Sequence, residues 1–503
     1  MLRRARNAAL KTTTTGVLVV TGIELTTHLP SEGRSSELYH KISDDVITPL
    51  MRRVTTPEVG HNLAIASIRK GLAPKHRPNA LESSGKVSLQ SRTKENLIFP
   101  SCIGLAAGFD KDGVAIEGLM KMGFGFVEIG SVTPRPQPGN PKPRLFRLVE
   151  DRGVINRFGF NSVGMDAVEE NLKAFRNEET DIKGNEMKLE NGNLAVAYAI
   201  TNALVAATRM GFQLIFPPPP QQPPSLLGVN LGKNKTSQEE SEVRKFFKIL
   251  KFYVGGDFHF KYTIFNASFF QDYEIGIETL GQYADYLVIN ISSPNTPGLR
   301  NLQSSAPLRR LLRAAVEKRN EISKSYNGKE GKDIPLFVKI APDLTDDDLR
   351  DIASAVKEIG VNGILVTNTS NQRPTTLISR NADESGGLSG GPIREMSTEC
   401  IRKIYRLTDG NVFIVGIGGV GSGRDAYEKI KAGASVVQLY SQMVYEGPGL
   451  ISRVRSELAE LMLQNGQKSL EDIIGLDHEE IFWNKRIARM KQKREEEQII
   501  DDR

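Results

Sequence analysis

Eight short apolar runs punctuate residues 102–441, and their spacing limits what the chain can fold into. They are IGLAAG (103–108), FVEIGS (126–131), LLGVNLG (226–232), YLVINIS (286–292), LFVKIA (336–341), GILVTNT (363–369), VFIVGIG (412–418) and SVVQLYS (435–441). Unbroken Val/Ile/Leu runs, unlike alternating ones, belong to strands buried on both faces, as in a parallel sheet. Helical stripes separate most of them, for example Leu349, Ile352, Ala353, Val356 and Ile359. Strand and helix repeated eight times predict an α/β fold, a closed (β/α)8 TIM barrel with its active site at the C-terminal strand ends. Those ends carry Asp110, Ser131, Asn230, Ser293, Lys339, Asn368, Gly419 and Ser441. One polar strand end means little, because loops are polar. Eight in register predict an active site.

At 503 residues the chain exceeds the ~250 of a plain barrel, so it carries extensions or insertions. The barrel is assigned to residues 98–478. The first eleven residues hold Arg3, Arg4, Arg6 and Lys11 with no acidic residue, and a threonine run follows. That is the composition of a targeting segment. Residues 16–25, GVLVVTGIEL, are apolar but shorter than the ~20 that span a bilayer comfortably. Residues 1–30 are thus either a cleaved presequence or a short anchor. Residues 36–73 form two helical patterns. Leu38, Ile42, Val46, Ile47 and Leu50 stripe the first; Leu63, Ile65, Ile68 and Leu72 stripe the second, which starts at Thr56-Pro57. The pair could cap the barrel or present an apolar slot to lipid. Residues 75–97 are expected to be a polar linker, and residues 479–503 a charged, solvated tail.

Two segments break the pattern. Residues 184–224 hold an apolar run followed by PPPPQQPP, and residues 243–272 hold VRKFFKILKFYVGGDFHFKYTIFNASFFQ. Barrel connections rarely need such length. Either they are loop elaborations or they are translated non-coding sequence kept in a gene model. A splice donor can encode Val243-Arg244-Lys245, and a pyrimidine tract ending in CAG can encode Phe269-Phe270-Gln271.

The net charge of +6 is diffuse and accompanies no nucleic-acid-binding signature. The two cysteines, Cys102 and Cys400, exclude a disulfide scaffold and sit in apolar contexts. No His/Cys/Asp cluster has metal-ligand spacing, so no metal is expected. Chemistry must come from side chains or an organic cofactor. In LAAGFDKDG (105–113), small residues let a flat ring approach the backbone, and Lys111 adds a rim charge. Asn290-Ile-Ser-Ser-Pro-Asn-Thr-Pro packs amides and serines around a proline-fixed turn. With Asn156, Asn230, Asn295 and Asn368, these amides suit a ligand carrying imide or urea groups. Ser293 has no histidine in its motif and is no triad nucleophile, but it could accept a proton. Lys339 lies in an apolar run, where a lysine is costly unless it meets an anion. SGGLSGGP (385–392), GIGGVGSG (416–423) and Tyr440-Ser441 offer free backbone amides where this fold binds phosphate.

Together these motifs resemble the dihydroorotate dehydrogenases, specifically the class 2, membrane-associated, quinone-reducing branch. The resemblance covers roughly residues 36–478 and rests on AAGFDK (106–111), GFVEIGSVTP (125–134), VINRFGFN (154–161), GVNLGKNK (228–235), NISSPNT (290–296), VKIAPDL (338–344), VTNT (366–369), GGLSG (386–390), GIGGV (416–420) and GASVVQLYS (433–441). It implies FMN held by Ala107, Gly108, Ser131, Asn230, Asn290, Lys339, Thr367, Gly390, Gly419, Tyr440 and Ser441. It implies dihydroorotate held by Lys111, Asn156, Arg157, Phe158, Gly159, Phe160, Asn290, Asn295, Asn368 and Thr369. Ser293 takes the base position, where class 1 enzymes use cysteine. The serine would remove the C5 proton while a hydride leaves C6 for the flavin, giving orotate. Ubiquinone would enter a slot of Leu38, Ile42, Val46, His61, Leu63, Ile68 and Arg147. Arg52 and Phe158 depart from relatives that carry glutamine and tyrosine there. The resemblance further implies de novo pyrimidine biosynthesis by a monomer at the mitochondrial inner membrane, in contact with its lipid and not with nucleic acid. The alternatives are another FMN barrel oxidoreductase, or an inactive product of a mis-spliced message.

Overall fold

The computed structural model describes residues 37–76, 80–83, 85–94, 96–178, 224–237, 269–296, 298–303, 305–325 and 334–501. In chain order its strands are β1 (Ser91–Arg92), β2 (Ile98–Phe99), β3 (Ile103–Leu105), β4 (Phe126–Val132), β5 (Leu145–Leu148), β6 (Gly153–Asn156), β7 (Leu226–Leu231), β8 (Tyr286–Asn290), β9 (Leu336–Ile340), β10 (Gly363–Val366), β11 (Gly387–Gly390), β12 (Phe413–Ile417) and β13 (Val436–Leu439). The eight anticipated runs close into one barrel in the order β3-β4-β7-β8-β9-β10-β12-β13, with parallel neighbours throughout. Their side chains are buried on both faces, as unbroken apolar runs require. The helices between them are set by local chemistry. In Asp346–Ile359, Thr345 and Asp348 form a capping box, and Gly360, at φ +79°, ends the helix in the left-handed conformation.

The N-terminal end of the barrel is plugged by aromatic rings. Phe99 lies 4.9 Å from Phe126 and 5.2 Å from Phe413, and Tyr286 lies 5.3 Å from Phe337. Phe99 arrives on the hairpin β1-β2, and Val87 and Leu89 are buried beside it in the core. Residues 85–94 and 96–97 are therefore not a mere polar linker: they bury Val87 and Leu89 in the core and supply β1, the strand that pairs with β2. At the opposite end β5, β6 and β11 form a separate antiparallel sheet that pairs Asn156 with Gly387. No apolar periodicity announces it, because its strands are four residues long.

Ahead of the barrel, residues 37–54 form one helix interrupted by a π turn at Ser43–Ile47, and Pro57–Arg69 forms the next. They are bolted to the barrel mouth by polar contacts. Arg52 donates to Tyr445 O at 2.7 Å, Arg147 donates to Arg52 O and Thr55 O at 2.9 Å each, and Arg144 pairs with Glu58 at 2.9 Å. Asp44, in the π turn, accepts from Gly449 N at 3.0 Å. At the other terminus Phe482 is buried, so the start of helix Glu479–Asp501 docks on the barrel, while Trp483 is exposed.

Residues 1–30, and most of both atypical segments, lie outside the described residues. The second segment ends earlier than expected. Residues 269–272 open the helix Phe269–Leu280, whose Phe270, Tyr273 and Ile277 face the core, and the Tyr273 hydroxyl donates to Asn290 O at 2.7 Å. Asp272 ties the flanks together, accepting from Asn234 N at 2.7 Å and Ser237 Oγ at 2.5 Å. One carboxylate thus joins the described residues on either side of 238–268. Replacing residues 238–268 with a short glycine linker should leave the melting temperature unchanged or higher, since a shorter connection has a slightly lower closure cost. Loss of cooperative melting by circular dichroism would show that the segment belongs to the fold.

Candidate active site

The barrel mouth and the two N-terminal helices enclose one cavity of about 770 Å³, within the usual range for a small-molecule site. Its two halves differ in chemistry. The helices contribute Ile42, Val46, Leu63 and Ile68, and the strand ends contribute Ser131, Asn290, Ser293, Lys339 and Asn368. His61 lies on the boundary, with its ring 5.3 Å from Phe109 and 6.4 Å from Tyr440. Burial, and then the charge of Lys111, hold His61 down at about 4, so the imidazole is neutral at neutral pH.

A chain of amides sets the polar half. Asn290 donates to Ser131 Oγ at 2.9 Å and to Asn230 Oδ1 at 3.2 Å. Asn368 donates to Ser292 Oγ at 3.0 Å and to Asn290 Oδ1 at 3.3 Å, and holds Thr369 N at 2.7 Å. Asn295 donates to Asn156 O at 3.0 Å, joining the loop after β8 to β6. Ser293 is buried yet lines the cavity, and its Oγ accepts the backbone N–H of Asn295 at 3.3 Å. That donor would stabilise negative charge developing on the oxygen.

Two lysines face the cavity. Lys339 is buried, and its Nζ lies 3.7 Å from Glu128 Oε1 inside the barrel. Burial pulls its proton affinity down and Glu128 pushes it up. Lys111 Nζ sits 3.6 Å over the Phe158 ring and donates to Asn161 Oδ1. Burial first, then the Arg144 charge, lowers it to about 7.

Glycines shape the opposite wall. Gly108, Gly390 and Gly419 have φ of +98°, +87° and +72°. A methyl on Gly419 would meet Arg394 atoms at 2.6 and 2.9 Å, so only glycine fits there. Tyr440 and Ser441 line the same wall, with Ser441 Oγ donating to Ser389 Oγ at 2.8 Å. A glycine wall that lets a ring approach the backbone, a buried cation and convergent asparagines fit a flat, polar ring carrying a phosphate.

Of the expected site residues, Ala107, Thr367, Thr369, Asn156, Phe158, Gly159 and Phe160 also line the cavity. Two do not. Arg157 turns outward, paired with Glu384 at 2.7 Å and stacked 4.5 Å from the Phe146 ring. Asn230 lies behind the lining, fully buried, donating to Glu128 Oε1 at 2.8 Å. In the slot, Arg147 lines the cavity beside Arg52; the side chain of Leu38 lies outside what the structure describes. Sequence patterning passed over Glu128, Asn161 and Gln438. Glu128 carried a signal: an acidic residue inside an otherwise apolar strand must find a partner. Among the described residues no group of three or more His, Cys, Asp or Glu side chains could hold a metal. Both cysteines are buried, with their thiols pushed up to about 12 by burial.

Comparison with known proteins places this geometry. The family model described as dihydroorotate dehydrogenase matches residues 89–462. The mitochondrial dihydroorotate dehydrogenase (quinone) of Mus musculus is 40% identical, covering 86% of this chain and 90% of the mouse protein. Its counterpart in Arabidopsis thaliana is 41% identical over 84% of this chain and 79% of the plant protein. The crystal structure of the Eimeria tenella enzyme in complex with ferulenol superposes with a TM-score of 0.66 at 38% identity, covering 84% of this chain and 96% of that one. With the family model spanning most of the barrel and relatives near 40% identity over most of their length, the chain belongs to the dihydroorotate dehydrogenase family.

Proposed function

We propose that this chain oxidises (S)-dihydroorotate to orotate in pyrimidine biosynthesis, with FMN in the barrel mouth and ubiquinone as final acceptor. One observation carries the reading: a single cavity joins the Ser293–Lys339–asparagine surface to an apolar slot between the helices. The family is flavin-dependent, and the glycine wall and buried Lys339 suit that cofactor. FMN, when bound, supplies the hydride acceptor and the route for electrons to quinone.

The chain's own residues do the rest. Ser293 takes the C5 proton of the substrate, helped by the Asn295 N–H on its oxygen. Asn156, Asn290, Asn295 and Asn368 present donors and acceptors to the pyrimidine edge, pre-oriented by their mutual hydrogen bonds. Lys111 meets the substrate carboxylate. Lys339 would supply a positive charge to the electron-rich edge of the flavin. Ala107, Gly108, Gly390, Gly419, Tyr440 and Ser441 hold the flavin and its phosphate, and Asn230 fixes the amides from behind. The slot of Ile42, Val46, His61, Leu63, Ile68 and Arg147 admits the quinone.

The inner mitochondrial membrane is the proposed location. Relatives from mouse and rice are named mitochondrial, and Ile42, Val46 and Leu63 expose 39%, 56% and 42% of their surface at the slot. Among the described residues no helix is long and apolar enough to cross a membrane. Contact would therefore be interfacial for this part of the chain.

The test is a purified protein under argon. Flavin absorbance should bleach on adding dihydroorotate and return on adding a ubiquinone analogue. A protein that takes up no FMN, or one that dihydroorotate leaves oxidised, would reject the reading and favour an inactive product. A further expectation follows from Lys111. Its charged form is lost as pH rises through about 7, so orotate affinity should fall above that pH, approaching ~tenfold per unit for one linked proton. Lys111→Met should flatten the titration and keep the flavin. A wild-type affinity that is level across neutrality would remove Lys111 from carboxylate binding.

A further inference from the structure

A carboxylate at zero exposure inside a barrel is costly unless every oxygen is used. Glu128, on β4, uses both of its oxygens. Oε1 accepts from Asn230 Nδ2 at 2.8 Å and faces Lys339 Nζ at 3.7 Å; Oε2 accepts from Gln438 Nε2 at 2.7 Å. Asn230 in turn accepts from Ser131 Oγ and from Asn290 Nδ2. One side chain, itself outside the cavity, thus ties together Lys339, Gln438, Ser131 and Asn290, which all line it. These groups come from β9, β13, β4 and β8, so the contacts reach around most of the barrel.

We propose that Glu128 is a positioning residue for the flavin site: as a buried counter-charge it keeps Lys339 protonated and aimed into the cavity. The proposal rests on FMN occupying that cavity. Glu128 does not line the cavity, and it acts through Lys339 and Asn230. The charged group that opposes the burial of Lys339 is Glu128. The strand neighbours of Lys339, Asn290 on β8 and Leu365 on β10, carry no charge. Tyr286, also on β8, is driven far above its ordinary value by burial and stays neutral. Without the carboxylate, nothing offsets desolvation, and the lysine gives up its proton at a lower pH.

The experiment compares wild type, Glu128→Gln, Lys339→Met and the double variant, each reconstituted with FMN. It reads the FMN dissociation constant and the flavin midpoint potential between about pH 6 and 9. In Glu128→Gln, FMN should bind ~tenfold or more weakly at the alkaline end, as expected when a buried ion pair loses one partner. Its potential should fall more steeply with pH than that of wild type, because Lys339 now titrates in range. Lys339→Met should lose that extra pH dependence, and adding Glu128→Gln to it should not restore it. The double variant holds no buried charge at either position, so the comparison with Lys339→Met survives even if the single Glu128→Gln protein fails to fold. A Glu128→Gln potential that tracks wild type in parallel, or a steeper pH dependence that Glu128→Gln produces even without Lys339, would overturn the proposal. A wild-type protein that binds no FMN would overturn the functional reading beneath it.

Discussion

Ser293→Ala should slow the reduction of bound flavin by dihydroorotate by about 10²–10⁴, the range for losing a positioned general base. FMN should remain bound, because the serine's hydroxyl oxygen accepts from Asn295 and the flavin wall is built by other residues. Reoxidation of the reduced enzyme by quinone should be nearly unchanged. Stopped-flow absorbance under argon separates the two half-reactions. Ser293→Cys should recover part of the rate with a lower pH optimum, because a thiol ionises more readily than a hydroxyl. If Ser293→Ala reduced its flavin at the wild-type rate, the base would have to be sought elsewhere.

How far the site was legible follows from the physics of each residue. The barrel was open to view because strands buried on both faces must be apolar throughout, and eight such runs appear with helices between most of them. Lys339 was legible for the same reason: one charge in an apolar run needs a partner. That rule applied equally to Glu128, which is the partner found, and it went unused there. Arg157 shows the opposite limit. It belongs to the same segment as Asn156 and Phe158, but its side chain points at Glu384, and no pattern of residue types reports that direction. The sheet β5-β6-β11 was hidden because four-residue strands carry too little periodicity to register. The limit of the second atypical segment was within reach. Phe270, Tyr273, Ile277 and Leu280 recur at helical spacing and mark residue 269 as a helix start.

The two N-terminal helices supply the apolar half of the cavity, and the hydrogen bonds that set the polar half run among residues of the barrel and its loops. Deleting residues 1–74 should therefore separate the half-reactions. Dihydroorotate should still bleach the flavin, because Ser293, Lys339 and the asparagine chain all belong to the barrel. Turnover with a long-chain ubiquinone should fall, with KM rising by about 10² or more. Losing burial for even two aliphatic groups removes roughly 1.5–3 kcal/mol each, and Ile42, Val46, Leu63 and Ile68 would all be gone. Retained bleaching is the control that the barrel has folded without contacts such as Arg144–Glu58 and Arg147–Thr55. Deleting residues 1–30 alone should leave both half-reactions intact, since every described slot residue lies beyond them. If the chain lacking residues 1–74 turned over long-chain ubiquinone as well as the chain lacking residues 1–30, the helices would be a cap on the barrel and the quinone would enter by another path.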